Sequence, residues 1–292
     1  MTDLGEMRYF LGMEVHQSND EIFLSQRKYA KDVLRKFKLE NYNSVSTPLA
    51  VNEKLSKADG DAKANVTQYR SLVGSFLYLT ATRPDLMFSA SLLSRFMHSP
   101  SLTHFGVGKR VLRYLKGTMD LGIWYRRSDG QLKGFVDSDW AGSIDDSKST
   151  TGYVFSLGSG VFSWNSKKQE VVAQSSAEAE YIAAAAASNQ AIWIRKVLID
   201  LDYVQEEPTV LWCDNNSAIS IAKNPVQHGR TKHINVKFHA IREAEKNGDV
   251  QLIHCRSEEQ LADILTKALS CVKFNALRSK LGVSKKIFKE EC

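Results

Sequence analysis

Between residues 132 and 263, short β-type runs alternate with helical stretches, and this alternation narrows the possible folds more than any other feature of the chain. Leu132–Val136, Gly152–Ser156 and Val161–Trp164 read as successive strands, with Gly158-Ser159-Gly160 turning the second into the third. A long helix over about Ala177–Leu201 follows. Its start is marked by Ser175 with Glu178 three residues on, a capping box. Next come a strand at Val210–Cys213, helices at Ser217–Lys223 and about Asn235–Lys246, a strand at Val250–His254, and a helix from Glu258. The order βββαβααβα predicts an α/β domain on a mixed five-stranded sheet flanked by helices.

The part before this reads differently. Met7–Val15 and Glu21–Leu24, joined by His16–Asp20, predict a hairpin, and Gln26–Phe37 has helical spacing. Asn41–Asn65 is polar and reads as a linker or long loop. Helices are expected at Thr67–Thr80, Pro84–Met97 and Leu102–Lys116. This divides the chain into residues 1–126, residues 127–284 and a polar tail, Lys285–Cys292.

Charge divides the same way. Residues 1–126 hold 18 Lys and Arg against 12 Asp and Glu, while residues 127–292 hold 21 of each, so the net +6 lies wholly in the first part. Lys109, Arg110, Arg113 and Lys116 share one face of their helix, which serves equally as a solvated face or a phosphate-binding one. With 43% hydrophobic and 25% charged residues the chain is of ordinary globular composition. No apolar run spans a bilayer, and no signal-peptide pattern opens the sequence. Cys213, Cys255, Cys271 and Cys292 stand singly, which suggests neither a disulfide framework nor a zinc site and fits an intracellular, reducing setting.

Four acidic residues fall where such a fold gathers functional groups. Asp137 ends the first strand and Asp214 follows the fourth, at the carboxyl ends where open sheets bind ligands. Glu180 lies past the capping turn of the long helix, on a face with Ala183 and Ala184 that packs closely and suits a carboxylate only if it has a ligand. Asp263 stands in the last helical stretch. Taken singly, each has a structural reading, as a turn former or a helix-start acid. Together, clustered carboxylates call for Mg²⁺ or Mn²⁺. Two such ions about 4 Å apart activate a water and stabilise the leaving oxygen of a phosphodiester. Glu178, by contrast, has its capping duty.

These residues lie in strings that resemble the RNase H domain of copia-type retrotransposon Pol polyproteins. The strings are Gly134-Phe135-Val136-Asp137-Ser138-Asp139-Trp140-Ala141-Gly142, Ser175–Ala183, Cys213-Asp214-Asn215-Asn216-Ser217-Ala218, Arg230–Ile234 and Leu261-Ala262-Asp263-Ile264-Leu265-Thr266-Lys267. Upstream, Asp3-Leu4-Gly5 with Tyr9-Phe10-Leu11-Gly12, Gln26–Tyr29, Tyr69–Gly74 and Thr82–Asp85 look like the end of the reverse transcriptase: the hairpin after its active site, then thumb and connection helices.

The resemblance implies an RNase H-like fold after a hairpin and a small helical remnant. It also implies endonucleolytic hydrolysis of the RNA strand of RNA–DNA hybrids, leaving a 3′-hydroxyl and a 5′-phosphate. Asp137, Glu180, Asp214 and Asp263 would be the catalytic metal ligands. Asn215, Asn216 and Ser217 are expected to meet the hybrid's groove, and the Lys109–Lys116 face its backbone. DNA synthesis is not expected, because the adjacent Asp145-Asp146 sits in a polar loop and the polymerase's paired-aspartate motif would lie upstream, with the missing polymerase portion as a partner. The loop before Asp263 has no histidine; His254 is the nearest and belongs to the strand, while His233 and His239 are too far apart for a one-face metal pair. Two rivals remain: a truncated remnant without turnover, and a module that binds hybrids without cutting them.

Overall fold

The structure is a computed structural model that describes residues 6–128, 130–223 and 240–286. His233, His239 and the start of the helix expected from Asn235 lie outside the described residues, as does most of the polar tail. The chain forms two compact units, one of Met1–Arg127 with Ala268–Cys292, the other of Ser128–Lys267. The boundary expected at residue 284 therefore falls at Lys267, because the last helix and strand belong to the first unit.

The first unit is built on an antiparallel sheet of β1 (Tyr9–Phe10), β2 (Met13–Gln17), β3 (Glu21–Ser25), β4 (Leu121–Arg126) and β10 (Val283–Lys285). The strands lie in the order β1-β2-β3-β4-β10. The run expected as one strand from Met7 to Val15 is broken at Gly12. That residue has a φ of +77°, and a Cβ there would lie 1.7 Å from the Tyr78 hydroxyl, so only glycine fits. β4 was not foreseen, although its Leu-Gly-Ile-Trp-Tyr run is apolar; it pairs with β3 on one side and with the C-terminal β10 on the other. Helices α1 (Arg27–Lys36), α2 (Val66–Leu79), α3 (Met87–Ser94) and α4 (Leu102–Gly117) complete the unit, with Leu72, Val73, Phe76, Leu93, Val111, Leu112 and Leu115 buried. Pro84 starts a short 3₁₀ turn, Pro84–Leu86, ahead of α3 instead of opening one continuous helix.

The second unit has the mixed five-stranded sheet that the resemblance implied. Its strands are β5 (Leu132–Asp139), β6 (Thr150–Leu157), β7 (Val161–Lys168), β8 (Thr209–Cys213) and β9 (Val250–His254), ordered β7-β6-β5-β8-β9. β5, β6 and β7 are antiparallel neighbours, whereas β5, β8 and β9 run parallel. Helix α5 (Ser176–Asp200) lies on the sheet through a run of buried alanines, Ala183–Ala185, Ala187 and Ala191, with Tyr181, Ile194 and Leu198. Helices α6 (Asn216–Lys223) and α7 (Ala240–Lys246) add Ala218, Ile219, Ala222, Ile241 and Ala244 to the same core. Small alanine side chains let α5 approach the sheet closely, which later decides where Glu180 can reach. The helix expected from Glu258 is instead a turn followed by a 3₁₀ segment, Leu261–Leu265, and the α-helix of this stretch, α8 (Cys271–Lys280), belongs to the first unit.

Candidate metal centre

Parallel pairing places the carboxyl ends of β5 and β8 at one edge of the second unit's sheet, with Asp137 near the end of β5 and Asp214 just after β8. Across from Asp137, β6 carries Gly152. A Cβ at that position would lie 2.7 Å from Thr266 Cγ2 and 2.9 Å from Leu265 Cβ, so the missing side chain lets the 3₁₀ segment seat against the sheet. Gln260 staples the start of that segment. Its Nε2 donates to the Val136 carbonyl at 2.9 Å and its Oε1 accepts from the Ala262 amide at 3.1 Å. Asp263 thereby arrives beside Asp137.

Glu180 comes from the second turn of α5. Ser175 caps that helix by accepting the Glu178 amide at 3.2 Å, and the Glu178 carboxylate accepts the Gln174 amide at 2.8 Å. Glu178 is thus occupied at the helix start, one residue earlier than a strict capping box requires. Two residues on, the Glu180 carboxylate accepts the Ser138 amide at 3.0 Å, which ties it to β5 next to Asp137. Gln169 supports the same junction, donating to Thr151 Oγ1 at 3.1 Å and to the Ala179 carbonyl at 2.9 Å.

One oxygen each of Asp137, Asp214 and Asp263 lie within 4.8 Å of one another, and so do ligand atoms of Glu180, Cys213 and Asp214. Asp214 joins the two groups. Asp137 and Asp263 are each 1% exposed and Glu180 is 5% exposed. Among the described residues, one close ammonium stands against these four carboxylates, that of Lys267, 2.7 Å from Asp263 Oδ1 and 3.4 Å from Asp137 Oδ2. Thr266 adds a neutral donor, its hydroxyl bonding to Asp137 Oδ2, while Ser257 bonds to Asp214 at 3.3 Å.

The electrostatic consequence is asymmetric. Burial raises Asp137 to about 6, with Asp263 and Asp214 pushing the same way and Lys267 and Thr266 opposing. Burial also holds Glu180 well above the usual carboxylate range, reinforced by Asp137 and Asp214. Lys267 is pushed upward: its own burial works against the ammonium, but Asp137 and Asp263 outweigh it. Burying carboxylates in such excess is costly unless a cation joins them. An all-oxygen donor set of this charge fits a hard divalent ion such as Mg²⁺ or Mn²⁺. Cys213 Sγ, 4.0 Å from Glu180 Oε2, is a buried thiol held protonated by its surroundings and does not change that preference.

The structure therefore brings Asp137, Glu180, Asp214 and Asp263 together. Asn215 caps α6, its Oδ1 accepting the Ala218 amide at 3.0 Å, and Asn216 and Ser217 are exposed on the first turn of α6. His254 is exposed at the end of β9, opposite Cys213 in register. Asp146 pairs with Lys168 at 2.7 Å in the loop after β5. Lys109, Arg110, Arg113 and Lys116 belong to the first unit, where three of the four are bonded to the chain at 42–47. Arg110 donates to Thr47 Oγ1 at 3.1 Å, Arg113 to the Asn43 carbonyl at 2.7 Å and Lys116 to the Tyr42 carbonyl at 2.6 Å. The fourth, Lys109, sits over the Phe105 ring. The sequence assigns no role to Gln260, nor to Thr266 and Lys267, although the last two lie in the string around Asp263. The spacing of Lys267, four residues after Asp263, was the signal available for that residue.

The resemblance seen in the motifs extends along nearly the whole chain. No family model matches it. It is 42% identical over 281 residues to the retrovirus-related Pol polyprotein from transposon RE2 of Arabidopsis thaliana, a match that covers 96% of this chain and 19% of that protein. It is 40% identical over 292 residues to the corresponding polyprotein from transposon TNT 1-94 of Nicotiana tabacum, covering 97% of this chain and 22% of that one. An uncharacterized mitochondrial protein of Arabidopsis thaliana is 40% identical over 195 residues, which are 66% of this chain and 80% of that protein. Among solved structures, LC11-RNase H1 isolated from compost matches 47% of this chain and 93% of its own, at 16% identity and a TM-score of 0.33. No helix among the described residues is long and apolar enough to cross a membrane. The chain belongs to the retrovirus-related Pol polyproteins of copia-type transposons, and it spans about a fifth of the length of the relatives RE2, RE1 and TNT 1-94.

Proposed function

We propose that this chain carries a metal-dependent endonuclease of ribonuclease H type, which hydrolyses the RNA strand of RNA–DNA hybrids within a transposon Pol polyprotein. The observation that carries this reading is the convergence of Asp137, Glu180, Asp214 and Asp263, from four separate elements, with a single ammonium against them among the described residues. Divalent cations held there supply an activated water and stabilise the leaving oxygen of a phosphodiester. Asp137 and Asp214 would reach the ions from the ends of β5 and β8, Glu180 from α5 and Asp263 from the 3₁₀ segment.

The protein's own contribution is placement. The Ser138 amide fixes one Glu180 oxygen, the Thr266 hydroxyl holds Asp137 Oδ2, and the Gln260 staple sets the height of Asp263. Asn216 and Ser217 lie exposed immediately beyond Asp214, suited to donate to groove atoms and to the 2′-hydroxyls that separate RNA from DNA. Asn215 uses Oδ1 for its helix cap and keeps its amide N–H donors for the same groove. The described cysteines, Cys213, Cys255 and Cys271, are free thiols, in keeping with an intracellular, reducing setting. The upstream polymerase portion of Pol is the natural partner.

The test is a hybrid labelled on either strand, incubated with the full chain in Mg²⁺ and in EDTA. Cleavage of the RNA strand alone, in Mg²⁺ alone, is the expected result. A hybrid that is bound but left intact over a wide range of Mg²⁺ and Mn²⁺ would favour a binding module, and no binding at all would favour an inactive remnant.

A further inference from the structure

Asp137 receives two contacts from the segment that carries Asp263, and both fall on the same oxygen. Lys267 Nζ lies 3.4 Å from Oδ2, and the Thr266 hydroxyl bonds to that oxygen too. Thr266 is wholly buried. Its methyl faces Gly152, where a Cβ would come within 2.7 Å, and a β-branched side chain has few rotamers to choose from. With the methyl seated there, the hydroxyl is aimed at Asp137. The same hydroxyl oxygen is 3.2 Å from the Asp263 carbonyl, so two acceptors compete for one proton. A charged acceptor makes the stronger bond, which assigns the proton to the carboxylate.

We propose that Thr266 is a positioning residue for Asp137: its hydroxyl holds Oδ2 and so fixes the orientation of the carboxylate. The alternative is a buried threonine that merely closes the 3₁₀ segment through the Asp263 carbonyl. The proposal rests on the reading of Asp137 as a metal ligand. It adds that the segment after Asp263 delivers a ligand and the group that aims its neighbour, in one packed unit.

Thr266→Val keeps the shape and removes the hydroxyl. Calorimetric titration of Mn²⁺ into the full chain should show its affinity weakened by about 10- to 100-fold, the usual effect of losing a partner of a metal ligand. At saturating metal, kcat on the hybrid should fall while KM stays, and Thr266→Ser, which keeps the hydroxyl without the seated methyl, should restore most of the affinity and kcat. In an Asp137→Asn background, replacing Thr266 by Val should leave Mn²⁺ affinity unchanged. Wild-type affinity in Thr266→Val, or an effect of equal size in the Asp137→Asn background, would overturn the proposal. If the valine variant does not fold, Thr266→Ser and Thr266→Ala differ only in the hydroxyl and give the same contrast. A wild-type chain that binds Mn²⁺ and cuts no hybrid removes the nuclease reading, and the titration still decides the role of Thr266.

Discussion

Each unit buries ionised side chains, and the two do it in opposite ways. In the first, Arg83 and Asp85 are buried together, with two parallel bonds of 2.9 and 2.8 Å between guanidinium and carboxylate. Arg83 also donates to the Thr118 carbonyl at 2.8 Å and to its hydroxyl at 2.9 Å. Tyr114 donates to Asp85 at 2.6 Å, and Arg278, from the C-terminal α8, donates to Tyr114 at 2.9 Å. Burial alone would raise Asp85, but Arg83 beside it holds the carboxyl below its usual range. In the second unit burial wins, and Asp137 sits at about 6. A buried charge matched one for one by a partner holds structure together, whereas a buried surplus of one sign marks a place for a ligand of the other.

The largest effect should follow from cutting the surplus. Asp137→Asn and Asp214→Asn should each abolish hybrid cleavage, since an amide keeps the shape but not the charge. The sign of the stability change follows from the raised carboxyl. With Asp137 near 6 when folded and near 3.8 when unfolded, the folded state holds the extra proton between those values, so stability in EDTA falls as pH rises through that window. Asp137→Asn should therefore be more stable than wild type in EDTA at pH 7, by an amount on the order of 2 kcal/mol. Urea titrations at pH 5 and pH 7 check this, and a destabilised Asn variant would show that the Asp137 charge stabilises the fold instead of straining it. The matched pair should behave in reverse. Asp85→Ala leaves the buried Arg83 without its carboxylate, and should cost about 3 to 5 kcal/mol. Hydrogen exchange should locate that loss in the first unit, with Mn²⁺ affinity unchanged.

A smaller effect is expected at Lys267, the internal cation of the surplus. Lys267→Met should lower stability in EDTA and strengthen Mn²⁺ binding by about 1 kcal/mol, roughly fivefold, a modest figure because the ammonium is partly exposed. Weakened binding would show that Lys267 holds the ligands in place rather than competing with the ion. The smallest effect concerns the basic face of α4. Because Arg110, Arg113 and Lys116 anchor the chain at 42–47, neutralising all three should destabilise the first unit and leave the salt dependence of hybrid binding as it was. A shallower dependence, by roughly 0.9 for each phosphate no longer neutralised, would restore a phosphate-binding role.

What was legible in the sequence followed local rules. The strand runs of the second unit, the Ser175 cap and the two strand-ending aspartates are set by side chains within a few residues of one another, and the five-stranded sheet formed as the alternation predicted. What was not legible depends on distant pairing. β4 is held by a strand some 160 residues later, and no local pattern tells that Val283–Lys285 will return to it. The stretch holding Asp263 has helical composition but is stopped as a 3₁₀ turn by its seat against Gly152 and its Gln260 staple. The bonds of three α4 charges to the chain at 42–47 join residues more than sixty positions apart, so no local pattern shows them. For the candidate site, the four acids that cluster could be picked out from strand ends and helix register, while the contacts of Thr266 and Lys267 with Asp137 form only once β5 and the 3₁₀ segment meet.

The buried carboxylates that outnumber their cations among the described residues should hold a divalent ion. Calorimetric titration of Mn²⁺ into the wild-type and Asp137→Asn chains, at pH 7 and again at pH 5, decides this. The wild type should bind saturably at pH 7 with release of protons, and more weakly at pH 5, as protons compete for Asp137. Binding should be at least about tenfold weaker in Asp137→Asn. Equal affinities in the two chains, or wild-type binding that does not change between the two pH values, would contradict it.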